Sequence, residues 1–220
     1  MPDSTRFVLW GSAGHAKVLA EIIALRAGMV LALFDNREVA SALPGVPIHL
    51  GEAGFRRWAD AYGDLQGVAG LAAIGGQHGR DRLAIQQLFR TRGLSVPSLI
   101  HHAAVVSGNA RLGAGTQVLA LANVAADARL GEACIVNHRA SVDHECILGD
   151  GVHLAPGATL CGCVTLGDNV FIGAGAVVLP RLSIGDDAAI GAGAVVTRDV
   201  PAGTTVVGNP ARPIKTHQQE

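Results

Sequence analysis

Between residues 98 and 199 an aliphatic side chain returns at every sixth position without a break: Ile100, Val106, Leu112, Val118, Val124, Leu130, Val136, Val142, Leu148, Leu154, Leu160, Leu166, Ile172, Val178, Ile184, Ile190 and Val196. Four residues after most of these comes a small or modest apolar residue, as at Ala122, Cys134, Ala140, Cys146, Ala158, Ala176 and Ala194. Two inward positions per six suit a narrow triangular coil, and a six-residue period is the repeat signature of a parallel β-helix, in which each short strand stacks on the strand one coil along. Seventeen sixes make nearly six coils. At a strand spacing of about 4.8 Å the prism should be on the order of 27 Å long. Gly often follows the aliphatic, as at Gly113, Gly131, Gly149 and Gly167, where a sharp bend of the chain is expected.

The period is lost before Ser98, which divides the 220 residues into expected domains of 1–97 and 98–220. Arg6–Trp10 reads as a short strand running into Gly11-Ser12-Ala13-Gly14-His15-Ala16-Lys17. Residues 18–27 have helical spacing, and 29–34 form a second strand ending at Asp35-Asn36. Strand, glycine turn, helix, strand and terminal acid make the opening of a nucleotide-binding βαβ unit, whose helix N-terminus offers backbone amides to phosphate oxygens. Asp35 is expected to face a ribose or base. Ala13 and Ala16 stand where a dinucleotide fingerprint wants Gly, so NAD is not indicated. Residues 43–50, with Pro44-Gly45 and Pro47, read as a loop leading into an edge strand. Then come a helix over 53–61, a third buried strand over 68–74 closing on Gly75-Gly76-Gln77-His78, a helix over 80–91, and a further strand over 94–97. Gly75 and Gly76 thereby fall at the carboxyl end of the sheet with Gly14 and Asp35, where open parallel sheets take their ligands. A plain αβ layer with a tight turn and no ligand is the alternative. His101 and His102, at the junction of the two domains, are given no role.

Composition removes several classes of partner. A net charge of -1 without a run of Lys or Arg argues against nucleic acid or an anionic membrane. The N-terminal residues lack the apolar stretch and basic flank of a signal peptide, and Glu21 and Arg26 interrupt the longest apolar run. A cytoplasmic protein with a small ligand is expected. Cys134 and Cys146 occupy inward places of the repeat. Cys161-Gly162-Cys163 lacks metal-site spacing, so no metal is assigned. The polar tail from Lys215 to Glu220 is expected to fray.

One place in the prism departs from bland repeat chemistry: Asn137-His138-Arg139-Ala140-Ser141-Val142-Asp143-His144-Glu145. An imidazole can take a proton at neutral pH and be held basic by a neighbouring carboxylate. Spacing leaves open whether Glu145 or Asp143 holds His144, and whether the cluster is a site or a hydrated rib. A zinc site built from His138, His144 and His153 is opposed by separations of six and nine, which put the rings on different faces of the prism.

The repeat resembles that of the hexapeptide-repeat acyltransferases, which implies a left-handed parallel β-helix and a homotrimer with active sites between subunits. Together, the Gly-Ser-Ala-Gly-His-Ala-Lys turn and the Asp-His-Glu of the prism resemble the acetyltransferases of nucleotide-linked amino sugars. These are the bacillosamine and perosamine N-acetyltransferases, with their relatives the sialic acid O-acetyltransferases. The ending Val206-Val207-Gly208-Asn209-Pro210-Ala211-Arg212 resembles theirs too, so the likeness spans residues 6–212. It implies a Rossmann-like nucleotide-sugar-binding domain before the β-helix, with acetyl-CoA as donor. The acceptor is implied to be a UDP- or GDP-linked 4-amino-4,6-dideoxy sugar destined for a bacterial surface glycan such as the O-antigen. Carried over by position, His144 is the general base, Glu145 its supporting acid and Asn137 a polar group of the same pocket. His153, Gly162, Ala174, Ala192 and Asn209 line the acetyl-CoA groove, with a Gly162 N–H as candidate oxyanion donor. Ala13, Gly14, His15, Asp35, Asn36 and Gly75 surround the nucleotide sugar. Asn36 stands where such proteins often carry a second Asp, which leaves uracil or guanine open. The resemblance also leaves open acetylation of a sialic acid hydroxyl, and, from another class, a trimeric scaffold that binds nucleotide sugar without turnover.

Overall fold

The computed structural model describes residues 5–214; the tail expected to fray, 215–220, lies outside the described residues. The chain divides into two compact units. One holds residues 5–75 and Asp81–Pro97, the other Gly76–Arg80 and 98–214. The first unit ends at Pro97, and a five-residue excursion within it, Gly76–Arg80, groups with the second.

The first unit is a four-stranded parallel sheet of β1 (Arg6–Trp10), β2 (Met29–Asp35), β3 (Ile48–Leu50) and β4 (Val68–Ala72), in the order β3-β2-β1-β4. The helices are α1 (Gly14–Leu25), α2 (Gly51–Tyr62) and α3 (Gly79–Thr91), the last beginning in the excursion. Every Trp and Tyr, and every Phe but Phe171, belongs to this unit. Trp10 lies 5.7, 6.0 and 6.2 Å from the ring centroids of Phe34, Phe55 and Phe89. Such tilted and edge-on contacts are the favoured aromatic geometry. The strand order reverses between β1 and β4, so their carboxyl ends open a crevice at the switch point.

Two local expectations need correction. Helix α1 starts at Gly14, so much of the glycine-rich turn is its first turn; it buries Ala16, Leu19, Ile22 and Ile23, an apolar stripe that begins before Val18. Residues 94–97 form no strand. Ser95 makes a single bridge to Ala69, and Pro97, without an N–H, cannot extend the ladder.

In the second unit the six-residue period becomes seventeen two-residue strands, from β5 (Leu99–Ile100) to β21 (Val195–Val196), each paired in parallel with the strand eighteen residues on. The last three depart from that register: β20 pairs sixteen residues on and β19 and β21 end their sheets. The strands form three sheets, the faces of a prism. The inward positions from Val118 to Val196 make one continuous buried core, flanked by the partly buried Ile100, Val106 and Leu112 of the first coil. A closing β22 (Thr205–Val207) and β23 (Arg212–Pro213) extend one face.

The glycines that follow the aliphatics do not make the bends. At Gly149 a Cβ would meet the Gly167 carbonyl carbon at 2.7 Å, so what these positions need is close approach of the next coil. The left-handed bend falls two residues later, and non-glycine residues such as Leu121, Arg139, Glu145 and Cys163 often hold it, with φ near +60°.

Candidate active site

Because coils repeat every eighteen residues, the turns fall on three edges of the prism. Glu145 N–H bonds the Ala126 carbonyl, Cys163 N–H the His144 carbonyl and Arg181 N–H the Gly162 carbonyl, which makes one edge. On it His144 Nδ1 lies 2.9 Å from Glu145 Oε2, while Asp143 Oδ1 accepts the His144 backbone N–H at 2.7 Å. Glu145 is therefore the carboxylate on the ring, and Asp143 fixes the turn. A carboxylate can only accept, so in the neutral ring Nδ1 carries the proton and Nε2 keeps its lone pair. That Nε2 lies over Gly162, where a Cβ would come within 2.4 Å of it. The absent side chain makes room for the imidazole. The Gly162 N–H makes no hydrogen bond among the described residues. His144 and Glu145 are exposed, at 52% and 62% of their side chains. Cys163, given no role on its spacing from Cys161, sits one coil beyond Glu145 with Sγ 3.7 Å from Oε2. Its eighteen-residue spacing from Glu145 was the available signal.

Asn137 occupies a different edge. Its Oδ1 accepts both the His138 backbone N–H at 2.8 Å and His138 Nδ1–H at 2.9 Å, which orients the amide so that Nδ2 donates to His153 Nε2 at 3.2 Å. His153 Nδ1–H then donates to the Gly76 carbonyl at 3.1 Å. This imidazole is buried, edge-on to Phe171 with ring centroids 5.3 Å apart, and both its nitrogens are engaged. His138 and His153 are thus tied to one asparagine, and His144 is paired elsewhere. Further along the Asn137 edge, Pro156 and Gly157 with Ala120, Leu121, His138 and Arg139 line a surface cavity of about 490 Å³. Ala174 and Ala192 continue that edge, exposed, one coil apart, with Gly193 N–H on the Ala174 carbonyl. One chain therefore brings His144, Glu145 and Gly162 together, and Ala174 and Ala192 together, but on different edges. Asn209 is exposed at the C-terminal end, where Gly208 and Ala211 hydrogen-bond Val195.

The excursion Gly76–Arg80 is pinned along the third edge. Gly79 N–H donates to Asn169 Oδ1 at 2.8 Å, Gln77 Nε2 to the Asp187 carbonyl at 3.0 Å, and Arg80 pairs with the Asp187 carboxylate at 2.6 Å. The Arg80 and Asn169 side chains hold the Asp187 carboxyl below the usual carboxylate range.

In the first unit, Ala13 is the extended N-cap of α1 and has no side chain to satisfy the first amides, and no acid stands in the first turn. Both facts favour an anion there. Ala13 and Gly14 are exposed, His15 and Gly75 half-buried, Asn36 exposed. Asp35 is buried and its oxygens are already taken. Oδ2 accepts Ser12 N–H at 2.9 Å and the Arg37 guanidinium, and Oδ1 accepts Arg37 N–H and Nε–H, each at 3.0 Å. Burial pushes this carboxyl up, but the Arg37 side chain and the two amides outweigh it and hold it below its ordinary value. What is presented to solvent beside the glycine turn is Arg37, 69% exposed. Among the described residues no helix is long and apolar enough to cross a membrane.

Comparison with known proteins adds an independent line. A family profile described as bacterial transferase hexapeptide (six repeats) matches residues 163–198. No curated protein matches the sequence. Among solved structures, the acetyltransferase domain of PglB from Neisseria gonorrhoeae in complex with acetyl coenzyme A is 33% identical, covering 96% of this chain and 100% of that one, with a TM-score of 0.85. PerB from Caulobacter crescentus, in complex with CoA and GDP-perosamine, is 35% identical over 95% of this chain and 97% of that one, with a TM-score of 0.84. WeeI from Acinetobacter baumannii is 27% identical, with 96% and 100% covered and a TM-score of 0.79.

Proposed function

The chain belongs to the hexapeptide-repeat sugar N-acetyltransferases, and we propose on that footing that it acetylates the amino group of a nucleotide-linked 4-amino-4,6-dideoxy sugar, with acetyl-CoA as donor and His144 as general base. Its second unit is accordingly a left-handed parallel β-helix, and the protein is an acyltransferase. The acceptor class is supported by the GDP-perosamine bound to PerB and the donor by the acetyl coenzyme A bound to the PglB domain. The setting we propose is cytoplasmic synthesis of a surface glycan such as an O-antigen.

The observation that carries the mechanism is the His144 arrangement: Nδ1 fixed on Glu145 and Nε2 free above a glycine whose own N–H is unspent. A sugar amine is mostly ammonium at neutral pH and cannot attack until it loses a proton. His144 Nε2 takes that proton, and the amine lone pair adds to the thioester carbonyl. The Gly162 N–H then meets the developing oxyanion, a contact worth about 3 kcal/mol in comparable holes. Collapse breaks the carbon–sulfur bond, and the departing CoA thiolate takes the second proton from nitrogen, which leaves the amide and free thiol. No covalent enzyme intermediate is needed.

In this reading the exposed first turn of α1, with Ala13, Gly14 and His15, takes the diphosphate. Arg37, anchored by Asp35, works with Asn36 and Gly75 around the nucleoside. Asn137 lends its amide to the acceptor pocket, and His153, expected along the donor groove but buried with both nitrogens engaged, supports it from behind. Ala174, Ala192 and Asn209 follow the pantetheine and adenine portions of the donor. Since Ala174 and Ala192 lie on a different edge from His144, we propose a homotrimer in which neighbouring copies bring the two edges to one active site.

The test is a panel of UDP- and GDP-linked 4-amino sugars with sialic acid, each offered with acetyl-CoA, reading product mass and thiol release for wild type and His144→Asn. An N-acetylated nucleotide sugar is expected from wild type, and loss of about 10²–10⁴-fold in turnover with donor binding retained for the variant. Unchanged turnover in the variant removes His144 from the mechanism, and acetylation of sialic acid alone moves the chemistry to a hydroxyl.

A further inference from the structure

We propose that His144, Glu145 and Cys163 form a binding site for one zinc-class divalent cation, and that filling it switches the acetyl transfer off. An imidazole nitrogen, a carboxylate oxygen and the Cys163 sulfur all lie within 4.8 Å of one another. Oε2 of Glu145 is 2.9 Å from His144 Nδ1 and 3.7 Å from Cys163 Sγ. Tetrahedral zinc with bonds of about 2.0–2.3 Å holds such atoms about 3.3–3.6 Å apart. The His144 and Glu145 side chains, both more than half exposed, have the freedom to close the remaining gap. Cys163 is held more firmly: its backbone sits in the left-handed turn and its N–H bonds the His144 carbonyl at 2.9 Å.

The donor set has the chemistry for the ion. Thiolate, carboxylate and neutral imidazole supply two negative charges to a dication, and sulfur with imidazole selects zinc or cobalt over magnesium and calcium. At the same turn position the coil before carries Asp127 and the coil after carries Arg181, so the neighbouring charges offset. Water completes the fourth position on the solvent side.

Binding releases the Cys163 thiol proton to solvent. It also requires the lone pair of Nδ1, so the proton that Nδ1 holds toward Glu145 moves to Nε2. An imidazole with metal on one nitrogen and hydrogen on the other has no lone pair left to accept from an amine. The inhibitory half of the proposal rests on His144 being the base; the binding half does not.

The experiment separates the two. Metal-free protein is titrated with Co²⁺ without substrates, following the thiolate-to-cobalt charge-transfer absorption, and Zn²⁺ is then added as competitor. One equivalent of cobalt is expected, displaced by zinc, with the band abolished in Cys163→Ser and kept in Cys161→Ser. In product-mass assays zinc should lower turnover over the range where it fills the site, and a chelator should restore it. Cys163→Ser should retain metal-free turnover within about two-fold and need at least about ten-fold more zinc for inhibition. No band in the wild type, a band that survives Cys163→Ser, or one that depends on Cys161 overturns the site. Occupancy without inhibition overturns the switch. Where the band behaves as expected but metal-free protein acetylates no sugar, the functional reading fails and the metal site stands.

Discussion

Replacing Gly162 by Ala adds one methyl group beneath the imidazole and changes nothing else about the residue's hydrogen bonding, because the N–H stays. An ideal Cβ there lies 2.4 Å from His144 Nε2, 2.6 Å from Cε1 and 3.1 Å from Cδ2. Ordinary carbon contacts run at about 3.5–4.0 Å, so the ring must retreat by about 1 Å. Displacement of a catalytic group by that distance costs about 10²-fold in rate, equivalent to about 2.7 kcal/mol of transition-state stabilisation. Stability should suffer much less. The side chain is 52% exposed and has solvent to turn into, and a strained rotamer costs about 0.5–1.5 kcal/mol. For a chain of this size that is a fall in Tm of no more than about 6 °C. Steady-state kinetics with an accepted nucleotide sugar should therefore show kcat down about 100-fold with little change in KM for acetyl-CoA. Wild-type kcat would refute the reasoning. A raised KM with kcat intact would also refute it, by placing the methyl against the donor rather than the base.

Three further outcomes follow from the same geometry. Asp35→Asn removes the charge that holds Ser12 and Arg37, and urea unfolding at neutral pH should show a loss of about 1.5–3 kcal/mol, the range for hydrogen bonds to charged groups. Because the folded carboxyl titrates below its ordinary value of about 3.9, that contribution is present above about pH 4 and fades as pH falls through the folded value, so wild type and variant should converge in acid. The Cys146 thiol, pushed up to about 11 by burial, is thiolate in only about one molecule in a thousand at pH 8. A disulfide reagent should leave it unmodified until denaturant is added, whereas the half-buried Cys161 and Cys163 react in the native protein. Arg80→Ala breaks a pair exposed at 68% and 40%, which solvent screens, and should leave the urea midpoint almost unchanged in the same unfolding measurement.

The six-residue period made the prism legible because each aliphatic has one place to go. A coil with two inward positions per six leaves Leu154 or Val178 no alternative to the core. The glycines were misread, since the need for close approach and the need for a left-handed bend both favour Gly, and only coordinates separate Gly149 from the bend two residues later. His144 and Glu145 were legible as neighbours in sequence, but the choice between Asp143 and Glu145 depends on turn geometry that spacing does not encode. Contacts that span many residues were beyond reach: His153 tied to Gly76, Asp35 turned inward onto Ser12, and the excursion Gly76–Arg80 laid along Asn169 and Asp187.

That excursion limits how the chain can be taken apart. A fragment beginning at Ser98 would carry every rung of the prism yet lack the five residues that cap His153 and fill the Asn169 carbonyl. The reciprocal fragment, ending at Pro97, would carry those five residues in its interior, at the start of α3, with their partners gone. Chimeras that exchange the N-terminal unit among such enzymes should therefore keep Gly76–Arg80 with the rod it lies on, which takes three joints, one on either side of the short splice and one before Ser98, rather than a single cut.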